Sequence, residues 1–548
     1  MKKIFILLFL TLAFISTSKP RNSFSNPNID ALHYTFNLLL SDSTNSIAGK
    51  TVVEVKFLKS DIKEFNLDLD SYDSISNTGM VVTQVLEAGL PVKFFQTEEL
   101  LKIILTSKST ENEVRNFSVI YSGIPKDGLI ISRNKFGDRT FFGDNWPDRA
   151  HYWLPTVDYP NDKATCDFFV IAPSYYQVIA NGRLADKINL NKNSTLTHWE
   201  ESEPIPAYLM VIGAARFAVQ YLPPLIQKEN ENECIPIETW VYPQDKDKGF
   251  YDFSPAGKIV RLFTKLIGPF PYEKLANVES KTIYGGMENA SNIFYSENEV
   301  TGTRKSLVTV AHEIAHQWFG DAVTEEKWHR IWLSEGFATF FQNVFIEHEF
   351  GNDSLLNSMK RERNEVIEYD EANPKSSVID TSITELINLL NVNSYQKGSW
   401  ILRMLEHELG ERDFWEGIRL YYNTFRNKNT LTKDFEKIME EVSGKNLQQF
   451  FQEWLYKPGF PILQGGWEYN SRNKVLTIKI NQIQSFDNSF VFPLDAGIYS
   501  KGKSDPYIKT LDINKKENIF KLHYEVKPDK VILDPGTWLL MKSEFKEN

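Results

Sequence analysis

The chain has 548 residues, a formal net charge of −11, 42% hydrophobic residues and two cysteines. It is too long for one hydrophobic core, so several domains are expected, and its acidity excludes a nucleic-acid binder, which needs a basic face. Two cysteines make no covalent framework, so packing must hold the fold.

At the start, Lys2 and Lys3 precede an apolar run from Ile4 to Ile15 and the small residues Ser16 and Ser18. This layout predicts a secretory signal peptide over 1–18 and a secreted or periplasmic product. The run is short for a membrane span, which makes a non-cleaved anchor the lesser alternative, and no later stretch is long and apolar enough to cross a bilayer. Over 19–216 the pattern alternates: Val53, Val55 and Phe57 against Val52, Glu54 and Lys56, then Phe65, Leu67 and Leu69 against Asn66, Asp68 and Asp70. Period two predicts antiparallel sheet. Cys166, in the strand-like CDFFVIAP, is expected to be a buried free thiol.

Over 217–455 the pattern becomes helical. Helices are expected over 254–267, over the histidine segment ending at Gly320, around Glu335, and from Ile401 to Leu409 ending at Gly410. Over 456–548 short strands return, with Leu476, Ile478 and Ile480 alternating with Thr477 and Lys479. The length suits a small β-sandwich. The expected fold is therefore multidomain α+β: an antiparallel β domain, a mostly α catalytic domain and a C-terminal β-sandwich.

The chemistry concentrates in HEIAHQWFG at 312–320 and WLSEGFA at 332–338. On a helix, His312 and His316 project from one face and can grip one Zn²⁺, with Glu313 beside the open coordination position. A structural zinc site is closed by four ligands, whereas a catalytic one offers three and leaves a place for water. Glu335, separated from His316 by eighteen residues on a second helical pattern, is the expected third ligand. Zinc lowers the pKa of bound water from 15.7 to about 7, and Glu313 would move the proton to the leaving amine. Tyr395, in YQKGSW, is a candidate oxyanion donor, although by itself one of 23 tyrosines is far more often packing material than a catalytic group.

YGGMENA at 284–290, HEIAH, WLSEGFA and Tyr395-x-Lys397-Gly398 stand in the order and spacing of the gluzincin zinc aminopeptidases, the family of membrane alanyl aminopeptidase and leukotriene hydrolase, which the chain resembles over most of its length. GPFPYEKL at 268–275, WLYKPGFP at 454–461 and HYWLPTVDYPNDKAT at 151–165 extend the likeness. The resemblance implies a thermolysin-like catalytic domain and hydrolysis at the free N-terminus of peptides. It gives the substrate-binding role to Gly285, Gly286, Met287, Glu288 and Asn289, with Glu288 on the α-ammonium and the glycines letting substrate pair as a strand. It supports Tyr395 as the donor. Three positions depart from the family pattern: Ser334 replaces the usual Asn, Gln342 an acid, and the stretch around Trp146 lacks the usual amine-binding Gln or Glu, for which Asp144 or Asn145 is the candidate substitute. A thermolysin-like endopeptidase would share the metal site without using Glu288 as a clamp, and an epoxide hydrolase side activity would use the same zinc and tyrosine. A peptide-binding pseudoenzyme is disfavoured by the complete ligand set.

Overall fold

The computed structural model describes residues 26–227, 234–484, 489–503 and 505–548. The expected signal peptide over 1–18 lies outside the described residues. The N-terminal domain is built on an eight-stranded sheet whose centre runs Lys163–Pro173, Ile29–Leu39, Ile47–Phe57, Val114–Ile124. Val53, Val55 and Phe57 are buried while Val52, Glu54 and Lys56 line the half-exposed face, as period two requires. A smaller sheet carrying Glu64–Asp68 packs on it through Phe65, whose ring lies edge-on to Phe57 and Phe117 at 5.8 and 4.8 Å. One pair departs from the antiparallel expectation: Ile29–Leu39 runs parallel to Lys163–Pro173, with Tyr34 opposite Cys166. Alternation places side chains on faces in either direction, so only the long intervening chain, which permits a crossover, allows this pairing. Cys166 is buried and Cys234 exposed, both as free thiols.

The sheets change between Ile212–Ala215 and Ala218–Ile226. The second domain is helical but opens with a five-stranded mixed sheet, Ala218–Ile226, Cys234–Val241, Leu275–Ser280, Asn292–Ser296 and, at its edge, Gly286–Met287. Leu275–Ser280 is buried along its whole length, which hides a strand signal from alternation. The helices include Ala256–Leu266, Leu307–His316, Trp332–Phe350, Asn352–Ala372 and Gly398–Leu409. The histidine helix ends at His316 and not at Gly320, because the next residues tighten into a turn in which Trp318 N–H donates to Ala315 O. Gly320 closes that turn at φ 120°, where a Cβ would meet His316 Nδ1 at 3.0 Å. The C-terminal unit places a four-stranded sheet, with Leu476, Ile478 and Ile480 buried, beside a three-stranded sheet burying Leu494, Ala496 and Ile498. Arg403 Nε joins it to the helical domain by donating to Thr537 O at 2.9 Å.

Two helices of the catalytic domain touch backbone to backbone. A Cβ on Gly336 would lie 2.9 Å from Gly398 Cα, and one on Gly398 would lie 2.8 Å from Gly336 Cα. Gly336 follows Glu335 directly, and Gly398 follows the π-helical turn Asn393–Lys397 that carries Tyr395. Buried Lys397 anchors the same turn by donating to Asp370 at 2.7 Å and to Gly459 O at 3.0 Å. Gly336→Ala gains about 1 kcal/mol of helix propensity but forces two packed backbones apart, which costs about 1–3 kcal/mol. The clash is expected to win, so the urea midpoint of this variant should fall; an unchanged or higher midpoint would show that the crossing is not tight.

Candidate active site

Helix Leu307–His316 buries one whole turn, and His312, Glu313 and His316 are all nearly inaccessible. Helix Trp332–Phe350 begins beside it and brings Glu335 to the two imidazoles. His312 Nε2 and His316 Nε2 lie 3.1 Å apart, and Glu335 Oε2 lies 3.2 and 3.3 Å from them. These three atoms converge on one point. A tetrahedral cation bonded at about 2.0–2.1 Å to nitrogen and oxygen separates its ligands by about 3.3 Å, so the donor set fits a small divalent ion. His316 Nδ1 faces Ser334 Oγ at 3.0 Å and Phe319 O at 3.2 Å, which orients Nε2 inward. The departure Ser334 thus holds the His316 ring directly. Glu288, Glu313 and His316 form a second close group, but it shares His316, whose one inward nitrogen can serve only one ion.

The cluster opens into a cavity of about 340 Å³. One wall is the edge strand with Gly285, Gly286, Met287 and Glu288; the others include Tyr395, Trp146 and Gln342. Gly286 faces Glu313 so closely that a Cβ there would overlap the carboxylate. The Tyr395 ring stacks on His312 with centroids 5.9 Å apart and planes 12° apart. Burial, reinforced by Glu335, pushes its hydroxyl well above the usual range, so it remains a proton donor. Burial pushes Glu288 up to about 7 and Glu313 well above the carboxylate range, with other acids adding to both. Glu335 is the exception: burial opposes its charge, but the two imidazoles hold it down at about 2.

Asn289, expected among the substrate-binding residues, is fully buried and is not among the residues that line the cavity. Asp144 and Asn145 are also turned away. Asp144 accepts from Arg149, Thr282 Oγ1 and the Ile283 N–H, while Asn145 donates to Met210 O and accepts from Trp153 Nε1. Neither has a free group for a substrate amine, and Trp146 takes the place at the cavity wall. A larger hollow of about 780 Å³, walled in part by Arg403, Glu406 and Trp538, opens toward the C-terminal ends of helices Trp332–Phe350 and Gly398–Leu409 and contains none of these residues.

The model of the peptidase family M1 domain matches residues 254–454, and that of the peptidase M1 N-terminal domain matches residues 30–209. The chain belongs to peptidase family M1. Human glutamyl aminopeptidase is 29% identical to this M1 chain over 336 residues, 58% of the chain and 34% of the relative. Tricorn protease-interacting factor F2 of Thermoplasma acidophilum is 27% identical over 80% of the chain and 54% of its own length. The matched region thus spans about a third to a half of these relatives. The crystal structure of Legionella pneumophila aminopeptidase A in complex with aspartic acid shares the fold at TM-score 0.82 and 19% identity, covering 96% of this chain and 60% of that one.

The purified M1 protein is expected to hold one divalent ion per chain, and His316→Ala to abolish that binding in elemental analysis. Chelation should lower the unfolding temperature of the native protein and leave His316→Ala unmoved, since an ion bound only to the folded state at about 100 times its Kd adds about 2.7 kcal/mol. An identical chelator response in both proteins would remove the metal from this site.

Proposed function

We propose that this M1 chain is a zinc aminopeptidase that hydrolyses the N-terminal residue from peptides, exported by the segment 1–18. The observation that carries the reading is that Glu288 lines the same small cavity as the His312, His316 and Glu335 donors and Glu313. A carboxylate at the closed end of a cleft gives a substrate ammonium its partner and fixes which carbonyl reaches the reacting atoms. His312, His316 and Glu335 would hold the zinc, which when bound supplies a Lewis acid and a water acidic enough to react at neutral pH. Glu313, buried and raised in pKa, is suited to take the proton of the attacking water and deliver it to the leaving amine. The Tyr395 hydroxyl, protonated and beside His312, would donate to the developing oxyanion. Gly285 and Gly286, on the edge of the sheet, leave room for the substrate backbone to pair. Relatives such as glutamyl aminopeptidase and aminopeptidase A point the same way. No helix among the described residues is long and apolar enough to cross a membrane.

A matched pair of free and N-acetylated peptides, followed by mass spectrometry, tests the reading. The free peptide should lose its first residue, and acetylation should reduce cleavage by about 10² or more, since it removes the charge that Glu288 pairs with. Internal fragments as first products, or equal cleavage of both peptides, would make the chain an endopeptidase. In the same assay Tyr395→Phe should lower kcat by about 10²-fold with little change in KM, the mark of a contact made in the transition state. A near-normal kcat would return Tyr395 to packing. Glu313→Gln should keep the metal and lose most turnover.

A further inference from the structure

The turn that carries Glu288 is tied to the histidine helix by one side chain. Gln317 follows His316 directly and is fully buried. Its amide makes three contacts: Nε2 donates to Glu288 O at 2.7 Å and to Asp321 Oδ2 at 2.8 Å, and Oε1 accepts from the Ser291 N–H at 2.7 Å. Both ends of the Glu288–Ser291 turn therefore converge on one amide. Ser291 has a left-handed backbone, φ 61°, which costs energy for a non-glycine residue and persists only where neighbours hold it. The N-terminal domain grips the other side, where Asn181 donates to Ala290 O at 2.7 Å and Ser291 Oγ donates to Glu201 at 3.0 Å.

We propose that Gln317 is a positioning residue that sets the distance from the Glu288 carboxylate to the His312, His316 and Glu335 cluster, and so selects which peptide bond reaches Glu313. The proposal rests on the reading of Glu288 as the ammonium partner. Only an amide fits the three contacts, because they require two donations and one acceptance from a single group. Gln317→Glu removes both donations and sets an oxygen against Glu288 O and Asp321 Oδ2. Gln317→Met keeps the length and removes every bond. In either variant the turn can shift against the helix, and a displacement of about 1 Å at a reacting centre costs about 10²-fold in rate. The metal donors are not touched by Gln317, so metal content should stay at the native value.

The test is a double-mutant cycle on a free-amine aminoacyl arylamide, with Gln317→Met and Glu288→Ala made singly and together in the full-length protein. If Gln317 acts through Glu288, Gln317→Met lowers kcat/KM by about 10²-fold in the native background and by much less once Glu288 is gone. Equal losses in both backgrounds would overturn the proposal and leave the ammonium reading intact, whereas a neutral Glu288→Ala would overturn the reading itself. Should Gln317→Met fail to fold, Gln317→Glu takes its place in the cycle. Hydrogen exchange of the native protein gives a check without substitution: the Ser291 amide should be as slow as the helix Leu307–His316, and fast exchange would show that Gln317 does not hold the turn.

Discussion

Three carboxylates, Glu288, Glu313 and Glu335, lie buried around His316, Glu335 reaching His312 as well, and the rest of the site follows from the cost of keeping them there. A buried carboxylate is stable only when paired, hydrogen-bonded or neutral. Glu335 takes the first route through His312 and His316 and stays ionised. Glu288 and Glu313 take the third, each pushed toward neutrality by burial and by the others. A divalent ion at one end and a substrate ammonium at the other would each pair with these carboxylates. The same electrostatic demand would draw the reactants in and align them.

Such a pocket works only if its walls cannot slide. The histidine helix is held against the Glu335 helix through the turn closed by Gly320 and through Ser334 on His316. The Glu335 helix is held against the Tyr395 turn by the glycine contact at 336 and 398, and Lys397 fastens that turn from behind. Gln317 closes the ring by fastening the edge strand to the histidine helix. The N-terminal domain braces it: Lys163 donates to Asp321 O and Ala322 O just after the histidine motif, each at 2.9 Å. The β domain is thus part of the active-site frame as well as a neighbour.

Much of this was legible in the chain. His312, Glu313 and His316 are local, because four residues make one helical turn, and alternation over Val53–Phe57 or Leu476–Ile480 reports a face whatever the strand pairs with. GGMEN and YQKG became legible only beside the histidine motif, by their likeness to a family.

Tertiary structure decided what local spacing cannot encode. The parallel pairing of Ile29–Leu39 with Lys163–Pro173, the strands of the second domain and the early end of the histidine helix depend on distant partners or on burial from both sides. Asn289 stands inside the motif yet is buried and does not line the cavity, and Asp144 is consumed by Arg149, the Thr282 hydroxyl and the Ile283 N–H, because hydrogen bonds from other elements compete for a carboxylate the sequence leaves uncommitted. Gln317 and Gly336 carry no recognisable chemistry of their own. Residue type and helical periodicity by themselves determined which groups could grip an ion; how far each stands from its neighbours was settled only when helices, edge strand and β domain closed around them.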